Sequence, residues 1–110
     1  MSLSIEYILA ELSTEINGLK AKKDEPNPDN IDKNLSRIAY WTRKVKVNAP
    51  ALLTMEEFNV VINTATLLGY LDLEEEEDGY DLLEKYISDL EKQMATCLKS
   101  YKNHLRKRPY

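Results

Sequence analysis

The sequence predicts an all-α protein, an antiparallel four-helix bundle whose last helix is the longest. Three observations carry this. Apolar residues recur at helical spacing in four separate stretches. The three glycines and four prolines are few and fall largely between those stretches, which favours long helices over many short strands. One stretch, residues 78–108, keeps its pattern for roughly eight turns, about 45 Å at 1.5 Å per residue, before Pro109 interrupts it. At 110 residues the chain has the length of one domain, residues 1–110.

The first helix is expected over 4–22. Ile5, Ile8, Leu9, Leu12, Ile16 and Leu19 share a face, and Ser4 can cap the first amides, with Leu3 placed to pack on Ile8. Asp24 to Asn30, with Pro26 and Pro28, reads as a loop. A second helix follows over 31–47, with Asp29 or Asn30 as its cap. Its stripe is Ile31, Leu35, Ile38 and Val45, with Thr42 in phase and Trp41 at one edge. Asn48-Ala49-Pro50 ends it.

The third helix, 55–70, has the clearest start. Thr54 with Glu57 forms a capping box, and Leu53 with Phe58 the matching staple. Phe58, Val61, Ile62, Ala65, Leu68 and Leu71 make a broad apolar face, widened by Val60 and Leu67, so this helix is expected to be the most buried element. Glu74 to Asp78 are five successive carboxylates that prefer solvent and connect to the last helix, 79–108. Around Leu83 at 100° per residue, Tyr86, Ile87, Leu90, Met94, Cys97, Leu98, Tyr101 and Leu105 fall within about 60°. The other helices are too short to cover this one. Tyr101 and Leu105 are therefore expected to overhang the bundle as an exposed seam.

Chemistry is scarce. One cysteine, Cys97, and one histidine, His104, cannot build a zinc site from one chain. No glycine-rich loop opens a helix, and the acidic run lacks the spacing of a calcium loop. No catalytic residue, metal or cofactor is expected. The single cysteine excludes an internal disulfide, no apolar run is long enough to span a membrane, and a cytoplasmic protein is the expectation.

Charge is segregated instead. Asp72 to Glu91 hold ten acids and one lysine, whereas Lys92 to Tyr110 hold six lysines and arginines and no acid. Matching of the helix dipole is one account of this. A binding end is the other, with Lys99, Tyr101, Lys102, Leu105, Arg106, Lys107 and Arg108 on the last helix and Arg43, Lys44 and Lys46 on the second. The functional expectation is a small non-enzymatic module that binds another protein, or a second copy of itself, through its helical surface and this end. A nucleic-acid-binding accessory subunit is the alternative. Size and loop rhythm are similar to those of many small helical bundles, immunity-type proteins and inhibitors among them, at the level of fold alone.

Overall fold

A computed structural model describes residues 4–22, 28–70 and 79–106. Four helices account for almost all of them: α1 is Ile5–Lys22, α2 Pro28–Asn48, α3 Met55–Tyr70 and α4 Gly79–Arg106. A single 3-10 turn, Pro50–Leu52, lies between α2 and α3. The fold is the all-α antiparallel bundle that the periodicity predicts.

The helix starts show how local chemistry sets the boundaries. Tyr7 N–H donates to Ser4 Oγ at 3.1 Å, which caps α1. α2 begins three residues earlier than expected. Pro28 takes the first helical position, where its missing N–H costs nothing and its fixed φ already suits the helix. Asp29 and Asn30 therefore lie inside the first turn rather than capping it. Leu3 (expected to pack on Ile8), the rest of the proline-rich connection (23–27) and the acidic run fall outside the described residues.

At its other end, α2 stops at Asn48, and Lys46 Nζ donates to the carbonyls of Pro50 (3.4 Å) and Leu53 (2.6 Å), tying down the 3-10 turn. The capping box of α3 forms as expected. Thr54 N–H donates to Glu57 Oε1 at 2.9 Å, and Glu57 N–H donates to Thr54 Oγ1 at 3.1 Å. The Thr54 backbone N–H, then its side chain, hold the Glu57 carboxyl below its usual pKa.

Each helix packs on its two neighbours in chain order, and α4 closes the ring on α1, while neither diagonal pair approaches among the described residues. The register is antiparallel. Lys20 pairs with Glu91 at 3.3 Å, whereas Glu6, fourteen residues earlier in α1, accepts from Tyr101 Oη at 2.7 Å. Tyr86 Oη reaches Val61 O of α3 at 3.1 Å. The first half of α4 thus lies along α3 and its second half along α1. One long helix serves two shorter, staggered ones.

That stagger corrects the expected overhang. Tyr101 is half-buried, packs on the core and holds Glu6, so the seam is covered to that point. Leu98 sits at the seam's edge and is partly exposed. The core joins Ile8, Leu19, Ile31, Ile38, Leu68 and Leu83, all nearly fully buried. A space of about 10 Å³ remains among Leu12, Ile16, Thr42, Val45 and their neighbours, no more than one water's worth. Thr42 is buried and returns its hydroxyl to Ile38 O at 2.7 Å, so it adds no unpaired donor.

The second correction concerns α3. It is not the most buried element: Val61, Ala65 and Leu68 are buried, while Val60 and Leu67 face solvent. A helix at one corner of a four-helix bundle has two neighbours and can bury only the side between them. Apolar residues beyond that width stay outside.

Candidate functional site

The outer face of α3 has an unusual composition. From Phe58 to Tyr70 there is no charged residue, in a chain that is 31% charged. Asn59, Val60, Asn63, Thr66, Leu67 and Tyr70 are exposed there. Val60 is 54%, Leu67 50% and Tyr70 86% accessible. Solvated helices carry charge on this side, so an uncharged, half-apolar face departs from the ordinary solvated pattern.

A groove runs along this face. Val60, Val61 and Thr64 of α3 form one wall and Leu82, Lys85, Tyr86, Asp89, Leu90 and Gln93 of α4 the other, around about 160 Å³. Tyr86 pins its floor through the bond to Val61 O. Burial pushes the Tyr86 phenol far above its usual pKa, so it stays a hydrogen-bond donor at any physiological pH. Lys85 and Asp89 stand exposed at the α4 lip, one helical turn apart.

The opposite seam, between α1 and α2, is closed by polar contacts. Asn34 is buried and its Nδ2 donates to Glu15 O at 3.1 Å and to Glu15 Oε2 at 2.8 Å. Arg37 Nε donates to the same Oε2 at 2.8 Å. Gly18 makes room for this, since a Cβ there would stand 3.3 Å from Asn34 Nδ2. Above the network, Trp41 lies between Tyr7 and Tyr40, and Lys44 Nζ sits 5.3 Å from the Tyr40 ring centroid.

The residues singled out by charge divide into groups. The contacts of Tyr7 with Trp41 and of Glu6 with Tyr101 place the C-terminal turns of α2 and α4 beside the first turn of α1. Arg43, Lys44, Lys99, Tyr101 and Lys102 are thereby brought to one end of the bundle. They do not share one face, because α2 and α4 are diagonal. Lys46 is engaged with backbone carbonyls, and Tyr101 with Glu6. Arg43, Lys99 and Lys102 are exposed. The side chains of Leu105 and Arg106, and Lys107 and Arg108 altogether, fall outside the described residues.

Cys97 is a buried free thiol that donates to Leu52 O at 3.3 Å. Burial first, and the nearby Glu57 charge second, push its pKa up, so it is held as an unreactive thiol. Among the described residues no group of three or more His, Cys, Asp or Glu is arranged to hold a metal, and no helix is long and apolar enough to cross a membrane.

Sequence reasoning did not single out the α3 face, although its signal was present as an apolar surface wider than a bundle helix can bury. Asn34 was legible too, since it falls in phase with Ile31, Leu35 and Ile38. Compared with known proteins, the chain has no significant match to a family model, a curated protein or a solved structure.

Proposed function

We propose that this protein is a small, non-enzymatic interaction module that docks an amphipathic helix of a partner protein along α3 and into the α3–α4 groove. The observation that carries this reading is the charge-free, half-exposed face from Phe58 to Tyr70. The groove runs from Leu82 to Gln93, three turns of α4 and about 16 Å, and so suits a segment presenting apolar residues at i, i+3 or i+4, and i+7. Lys85 and Asp89 carry opposite charges at the lip, which fixes the direction of the docked helix. From Phe58 to Tyr70 the α3 face has no cation for a phosphate, and Lys85 at the lip stands one turn from Asp89, so the surface favours a protein over the nucleic-acid alternative. The exposed Lys99 and Lys102 at the end of α4 add a cationic margin to the same reading. A chain with one cysteine, buried as Cys97 is, relies on no disulfide, and the cytoplasm belongs to this proposal.

Photocrosslinking tests it. With p-benzoylphenylalanine in place of Leu67, irradiated source cells should yield one discrete protein adduct, and Val60→Glu should remove it without changing the helical circular dichroism. An adduct of doubled mass would make the occupant a second copy of this chain. Absence of any adduct overturns the reading.

A further inference from the structure

The α1–α2 seam carries a second surface, on the side of the bundle away from the α3–α4 groove. Trp41 meets Tyr7 at 5.8 Å and 76°, and Tyr40 at 4.9 Å and 82°, an edge-to-face row across two helices. Both tyrosines are half-exposed, and Val47, one turn beyond Lys44, is 78% accessible.

Positive charge flanks this row on its α2 side, while α1 carries Glu11 one turn beyond Tyr7. Between Lys33 and Met55 the chain has no acidic residue and five cations. Two of them serve the fold, Arg37 through Glu15 and Lys46 through the Pro50 and Leu53 carbonyls. Lys33 and Arg43 are exposed, and Lys44 lies over Tyr40. The helix dipole does not account for these three. Lys46 alone occupies the last turn of α2, and Lys33 sits in the N-terminal half, where the dipole favours acids.

We infer that this surface binds an acidic segment of a second protein. Its carboxylates meet Lys33, Arg43 and Lys44, and an apolar side chain rests on Tyr40 and Val47. Charge complementarity selects an anionic partner. The rings select a peptide over a nucleic acid, because they are packed edge to face against one another with Lys44 on Tyr40. They present no set of parallel open faces for successive bases. Tyr, Trp and Arg beside an exposed aliphatic residue are also the composition of a protein hot spot. The groove and this patch lie on opposite sides of the ring of helices, so one molecule can hold both partners at once.

Trp41 is the chain's sole tryptophan, and its emission therefore reports on this surface directly. The full chain is titrated with an amphipathic peptide of Glu and Leu without aromatic residues, with the same peptide carrying Gln for Glu, and with an oligo-dT. The acidic peptide alone should give a saturable change in Trp41 emission. That binding should weaken several-fold between about 50 and about 300 mM salt, where the Debye length shortens. Arg43→Gln with Lys44→Gln should lose most of it at an unchanged melting temperature. Equal binding of the Gln peptide, equal or tighter binding of oligo-dT, or no emission change with any probe would each overturn the inference.

Discussion

The two halves of this bundle use the same kind of helix to different ends. Where α1 meets α2, a buried asparagine, a carboxylate, an arginine and a glycine fit together so closely that one added methyl group would press on Asn34. Where α3 meets α4, the Tyr86 hydroxyl reaches Val61 O and a groove stays open above it. The first seam is also the more closely packed, since α1 and α2 bury five apolar residues each while α3 buries only Val61, Ala65 and Leu68. A further difference lies in what surrounds the stripe. The first seam pairs the polar groups it encloses, Asn34 with Glu15 and Glu15 with Arg37, and leaves only its outer aromatic and cationic rim to solvent. The second leaves apolar side chains of α3 in water, which is why the proposed partner is placed there.

Substitutions on each side of the comparison should separate cleanly. Ile38→Ala, in the fully buried stripe of α2, should cost about 2–5 kcal/mol in urea denaturation. Asn34→Ala should cost about 1–3 kcal/mol, because it removes a buried donor from Glu15. A cost near zero would mean that the polar network only decorates the seam.

Thr54→Ala should cost about 1 kcal/mol by opening the α3 cap, and it carries a pH signature. The folded pKa of Glu57 lies below its ordinary value of 4.5, so its contribution is present above that pH and is lost as pH falls through the folded value. The wild type should therefore lose stability on acidification below about pH 4.5 more steeply than the variant. Equal slopes would remove the cap from the account. Smallest of all, Leu67→Ala should change stability by less than about 0.5 kcal/mol, since half of that side chain is already in water. The partner identified by crosslinking should nonetheless fail to bind this variant in a pull-down, and its retention would erase the contrast between the seams.

The fold was legible because periodicity and capping are local properties. Thr54 with Glu57, Ser4 before Ile5, and the stripe from Leu83 to Cys97 all state their geometry within a few residues of chain. The early start at Pro28 was misread because proline was taken as a loop former, whereas the first turn of a helix accepts it. The overhang failed for a different reason. Helix lengths can be read from a sequence, but the stagger of α1 against α3 along α4 depends on contacts such as Tyr101 with Glu6, ninety-five residues apart. Charge segregation along α4 drew attention to its C-terminal end, while the stretch of α3 that lacks charge altogether is conspicuous only once its outer side is known to face water.

Asn34 and Gly18 also bear on a choice that hydrophobic packing leaves open. Four helices joined by short connections can be wound with the second to the left or to the right of the first, and a core of Leu and Ile is nearly indifferent between the two mirror arrangements. In the arrangement seen, the Asn34 side of α2 meets Glu15 and the bare backbone of Gly18. That contact exists only where the Asn34 side of α2 faces α1, so a buried amide favours the hand seen and, with it, the sides of the molecule on which the groove and the aromatic row are found.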